Sequence, residues 1–216
     1  MKKRQSLEEK LDRLKALEEG PLDDTVRKAT HDALADRSNL HRGARCAAAH
    51  LLGETGTESA QLLLHMKINT GDAEPEVIGE CCTALLRFGG ERPLDLVARH
   101  LRHPLDEVAQ EAALALGSLQ DRAAFDALRA AREDTITSPR RMNLLLPMAL
   151  TRCDEAYEYL LHVVRTENPA AAESALDALR ILAADDRRRT EILDAVNGAG
   201  DKSLKSAYHK IFADIG

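Results

Sequence analysis

Eight histidines and four cysteines are the side chains of this chain best suited to hold a metal or act as nucleophiles, and their spacing decides whether they can. His100 and His103 stand three residues apart near a helix end, so two imidazoles could meet one ion. No third ligand accompanies them, whereas zinc sites take three or four. The cysteines are Cys46, Cys81, Cys82 and Cys153, with no CxxC pair. Adjacent Cys81 and Cys82 cannot easily bridge to each other, and the pattern reads as small buried hydrophobes in a reducing compartment. No HExxH, phosphate-cradling glycine loop or GxSxG elbow occurs. The sequence therefore predicts no catalytic residue, no bound metal and no cofactor.

The elements that would position any chemistry are helices. Hydrophobic residues make up 44% of the 216 and charged residues 31%, which supplies both a core and a solvated surface and excludes global disorder. Aromatics are only 3%, with no tryptophan, while alanine and leucine abound. Such a chain packs helices closely and suits β-sandwiches poorly. Lys and Arg total 30 against 36 Asp and Glu, a formal charge of -6 that argues against a nucleic-acid partner. No window approaches the roughly 20 apolar residues of a bilayer crossing. The Met1-Lys2-Lys3-Arg4 start turns polar at once, unlike a secretory signal. A soluble cytoplasmic protein with no membrane partner is expected.

An internal repeat organises the chain. Val108, Ala112, Ala113, Leu116 and Leu119 keep helical spacing, a turn follows over 118–121, and a second amphipathic stretch runs through Phe125, Leu128 and Ala131. Upstream the template returns as Val77, Cys81, Cys82, Leu85 and Phe88, and before that as Ala44, Ala48, Ala49, Leu52 and Gly53. Downstream it returns as Leu145, Leu146 and Ala149, then as Ala175, Leu176, Leu179 and Leu182, at a spacing near 31 to 33 residues. The copies predict helical hairpins over 22–53, 57–89, 91–119, 122–152, 154–184 and 186–214. Breaks are expected at Gly53, Gly56, Gly71, Gly89-Gly90, Pro104, Pro139, Pro169 and 198–200. A hairpin of this size cannot bury its apolar face alone. The expected fold is all-α, an α-solenoid of about six stacked antiparallel hairpins. Pro147, inside the run 144–150, is expected to kink its helix.

The run Glu111-Ala-Ala-Leu-Ala-Leu-Gly-Ser-Leu-Gln-Asp121-Arg-Ala-Ala resembles the short HEAT-like repeat also known from phycobilisome lyases, and residues 51–60 carry the same signature. The likeness covers roughly residues 40–190. It implies a helical-repeat fold and leaves activity open, because the consensus positions are core positions. Deoxyhypusine hydroxylases, similar in repeat pattern, hold two irons with His-Glu dipeptides on their inner helices. The aligned dipeptides here are Cys46-Ala47, Gly79-Glu80 and Gln110-Glu111, and no His-Glu pair occurs in the chain. That activity is not expected.

Residues 1–20 stand apart. Leu7, Leu11, Leu14 and Leu17 form a stripe among charges, and Ser6 with Glu9 makes a capping box. A charged capping helix is expected there, ahead of a single repeat domain over 21–216.

With the core register set, the outward positions of each second helix follow, and in a HEAT-like array these line the concave side. They include Glu76, Glu80 and Arg87, then Glu107, Gln110, Glu111 and Leu114, then Arg140 and Asn143, and finally Glu173 and Asp177. Gly79, Leu144, Pro147 and Thr151 fall in the same outward set. The centre of this surface is acidic, with Arg87 and Arg140 flanking it. The expected function is a non-catalytic scaffold or adaptor, a monomer that binds a protein or peptide of basic or mixed charge. The alternative is a small lyase-type or other HEAT-like enzyme subunit whose catalytic residues carry no recognisable motif.

Overall fold

The computed structural model describes residue 34, residues 42–183 and residues 185–213, so the capping helix expected over 1–20 lies outside the described residues. Helices follow in the order α1 (Arg42–Thr55), α2 (Glu58–Thr70), α3 (Pro75–Leu86), α4 (Glu91–His100), α5 (Asp106–Gly117) and α6 (Arg122–Asp134). They continue as α7 (Ser138–Asn143), α8 (Leu145–Leu150), α9 (Asp154–Thr166), α10 (Pro169–Leu179), α11 (Asp186–Ala199) and α12 (Lys202–Phe212). No strand forms among the described residues. The pairs α2/α3, α4/α5, α9/α10 and α11/α12 fall inside the expected hairpins, as does α6 with α7 and α8. The fold is an all-α array of paired helices, the α-solenoid class.

Local chemistry starts these helices where the sequence punctuates them. Thr57 accepts the Ala60 N–H at 3.3 Å, Asp121 accepts that of Ala123 at 2.8 Å, and Asp185 accepts that of Arg188 at 2.8 Å. Each cap satisfies a donor that the helix cannot, and contributes about 1 kcal/mol. Pro75 and Pro169 occupy first helical positions, where a missing N–H costs nothing. Gly71 closes α2 at φ 76°, a conformation that side chains with a Cβ rarely adopt.

The chain divides into two compact units, Met1–Ala115 and Leu116–Gly216. In the first, α1 lies against α3 in one layer while α2 packs on both, and α4 packs on α3. Leu52 and Leu85 are buried there at equivalent repeat positions, as is Leu116, the first residue of the second unit. In the second unit, α9 lies against α11 and α6 in one layer, and α10 against α8 and α12 in the other.

Gly53 is not a break. α1 runs through it to Thr55, and a Cβ there would sit 3.0 Å from the Ala84 Cβ, so the glycine sets the closeness of α1 and α3. Gly198 likewise lies inside α11, which Gly200 closes in the left-handed region.

The fourth repeat departs from its template. Pro147 has no N–H for the Asn143 carbonyl, so the expected kinked helix is instead two short ones, α7 and α8, meeting at Leu144. Pro147 sits in the first turn of α8, where the loss is tolerated. The restart rotates the faces. Leu144, Pro147 and Thr151, expected outward, are buried, whereas Leu146, expected in the core, is 42% exposed.

Candidate functional site

The second helices α1, α3 and α5 bring most of the expected surface residues together in the first unit. Glu76, Arg87 and Glu107 are exposed, and Glu80, Gln110, Glu111 and Leu114 are half-buried. Gly79, also expected outward, is buried, because the Glu111 side chain lies over it: a Cβ on Gly79 would sit 3.0 Å from the Glu111 Cβ and collide with its carboxylate.

Pairing divides these charges into two groups. Along the seam of α1 and α3, Arg42 donates to Glu76 at 2.7 Å, Arg87 donates to Glu54, and His50 lies 3.3 Å from Glu80. The i, i+4 spacing of Cys46, His50 and Glu54 places all three on this face. Glu111 on α5 is different. It enters no ion pair among the described residues, and burial followed by the nearby Glu76 charge pushes its carboxyl above the usual range.

The thiols on and beneath the face are poor nucleophiles. Burial, with a smaller contribution from Glu111, pushes Cys82 up to about 12. Burial also raises Cys81 and, with help from Glu80, Cys46. The reactive form of cysteine is the thiolate, which these environments disfavour. Among the described residues no group of three or more His, Cys, Asp or Glu gathers to hold a metal.

Residues 66–146 match the family of HEAT repeats. That HEAT stretch runs from the last turns of α2 into α8 and holds Glu76, Glu80, Glu107, Glu111, Arg140 and Asn143. No curated protein matches the chain. Human deoxyhypusine hydroxylase in complex with glycerol is a similar solved structure, at 18% identity and TM-score 0.42, covering 97% of this chain and 91% of that one. An engineered protein is similar at 17% identity and TM-score 0.42, over 89% of this chain and 97% of its own. No helix among the described residues is long and apolar enough to cross a membrane.

In the second unit, half-buried Arg140 and exposed Asn143 lie on α7, and exposed Glu173 and Asp177 on α10, which α7 touches. The strongest polar cluster of this unit was not anticipated. Arg132, 1% exposed, holds the Glu167 carboxylate with two hydrogen bonds of 2.9 and 2.8 Å, and reaches the Tyr159 hydroxyl at 2.8 Å and the Arg141 carbonyl at 3.1 Å. In the first unit Asp72 accepts from Arg45 at 2.9 Å and lies 2.6 Å from the Lys67 ammonium, all three side chains being buried. The available sequence signal was a cation on an apolar register: Arg132 follows Phe125 and Leu128 on one stripe of α6, as Lys67 follows Ala60 and Leu64 on α2. Each buried cation in these clusters faces a carboxylate, which suits a structural tie.

Proposed function

We propose that this protein is a non-catalytic scaffold or adaptor, working as a monomer in the cytoplasm and holding a basic or mixed-charge segment of another protein on the face of α1, α3 and α5. The observation that carries this reading is Glu111, a carboxylate without an ion-pair partner among the described residues, partly desolvated and repelled by Glu76. A lysine or arginine from a partner would offset both penalties, since an opposite charge favours the ionised carboxyl. The neighbouring pairs of Arg42 with Glu76 and Arg87 with Glu54 keep two cations on the same face, which suits a mixed-charge ligand better than a purely basic one. The raised thiols support a binding role over a catalytic one. Four free cysteines are in keeping with a reducing compartment.

Titration of the full chain with a lysine- and arginine-rich peptide, beside a glutamate-rich one, tests the reading. The basic peptide should bind and weaken as salt rises, because exposed charges are screened beyond about 10 Å at 0.1 M. Glu80→Lys with Glu111→Lys should remove that binding and leave the helical signal and Tm nearly unchanged. Equal binding of the two peptides, or unaltered binding by the variant, overturns it.

A further inference from the structure

A second surface lies on the other helices of the first unit. Between α2 and α4 runs a groove of about 410 Å³, within the ligand-holding range of roughly 300–1,000 Å³. Its apolar lining is Leu62, Leu85, Pro93 and Leu96. Leu62 is 57% exposed, and Met66, one turn further along α2, is 54% exposed, so the apolar stripe continues out of the groove onto the surface. Leu85, Pro93 and Leu96 are buried at its floor, so Leu62 and Met66 carry the open apolar surface that a partner would cover.

The rim carries charge in an ordered way. Arg92, Asp95 and Arg99 stand at i, i+3 and i+7 on α4, so all three face one line. Glu58 opens the opposite rim on α2. None of these four enters an ion pair among the described residues, although Arg99 donates one N–H to the Asp95 backbone carbonyl at 3.3 Å. The seam of α1 and α3 is tied by its own pairs. This rim is not.

We propose that the groove between α2 and α4 docks an amphipathic helix of a partner protein, with its leucine-type stripe seated over Leu85 and its flank reading acid, base, acid opposite Arg92, Asp95 and Arg99. Backbone chemistry selects a helix as the occupant, and its rise is compatible with the rim. At 1.5 Å per residue, Arg92 and Arg99 are about 10 Å apart along α4, and a partner helix repeats the same i, i+3, i+7 rise. An extended segment would bring its backbone N–H and C=O groups into a trough with no strand edge to pair them. Sign selects the flank, since like charges set against Arg92 and Arg99 would be rejected.

The test uses the full chain and two labelled helical peptides of about four turns, about 14 residues each. Both carry leucines at i, i+3 and i+7. One flank reads Glu, Lys, Glu, and the control reads Lys, Glu, Lys. The first should bind about tenfold more tightly than the control by fluorescence anisotropy, the size expected when like charges replace complementary ones. Arg92→Glu with Arg99→Glu should invert that order, an outcome that loss of folding cannot mimic. Leu62→Asp, at an exposed position, should weaken both peptides while circular dichroism stays unchanged. Glu80→Lys with Glu111→Lys should leave the order and affinities intact, which separates this groove from the acidic face. Equal affinity for the two peptides, or an unchanged order in the double arginine variant, overturns the proposal.

Discussion

The Glu111 carboxylate is folded across Gly79, one repeat earlier in the chain, where the absence of a side chain leaves it room. An alanine at 79 would therefore act on Glu111 rather than on the core. Gly79→Ala gains up to about 1 kcal/mol of helix propensity in α3 and spends part of it displacing the flexible carboxylate. Thermal unfolding should shift little, while titration with the basic peptide should show affinity falling severalfold. Unchanged affinity would mean that the position of Glu111 is immaterial to binding.

Leu116 is fully buried, and Leu114, two residues earlier on α5, is half-exposed. Leu116→Ala should cost about 2–5 kcal/mol through the cavity it opens. Leu114→Ala should cost less than about 1 kcal/mol. Urea unfolding of both variants checks the register, and equal losses would contradict it.

Arg132 is sealed from water with Glu167 as its counter-charge. Glu167→Gln should cost about 3–5 kcal/mol, because it strands a buried cation. The hydrogen bonds from Arg132 hold the Glu167 carboxyl below the usual range, against the opposing effect of burial. For Asp72, burial pushes upward, but hydrogen bonds from Lys67, the Glu74 N–H and Arg45 outweigh it and the carboxyl is again lowered. A carboxyl lowered in the folded state stabilises fully above its unfolded value, about 4 for these groups, and loses that contribution as pH falls through the folded value. Urea midpoints should therefore drop below pH 4, and the gap between wild type and Glu167→Gln should narrow there. A gap independent of pH would count against the ion pair as its source.

Two glycines inside helices should respond in opposite directions. A Cβ on Gly117 would lie 2.6 Å from the Pro147 carbonyl oxygen and 3.1 Å from the Leu150 Cβ, and backbone cannot step aside as a side chain can. Gly117→Ala should cost about 1–3 kcal/mol by overpacking. Gly198 has open space around it within α11, so Gly198→Ala should stabilise by about 0.4–1 kcal/mol. Melting curves of the two variants should move apart, and a common direction would refute this account of the contacts.

The 31 to 33 residue period was enough to determine the helices, their pairing and the burial of Leu52, Leu85 and Leu116. A helix turns 100° per residue, so apolar spacing fixes which side of each element faces inward. The same arithmetic put Glu76, Glu80, Glu107 and Glu111 on the outward side, and they are exposed or half-buried there. Tertiary structure alone decided what those side chains meet. Arg132 finds Tyr159 and Glu167 at separations of 27 and 35 residues, and Arg42 finds Glu76 at 34. Gly53 serves helix contact rather than a break, and Leu144 and Leu146 exchange sides around Pro147. Periodicity is a local property of one helix, whereas side-chain ion pairs, close approach and the groove between α2 and α4 depend on the distance and rotation between helices about a repeat apart. Packing sets those quantities, and no spacing within a single helix encodes them.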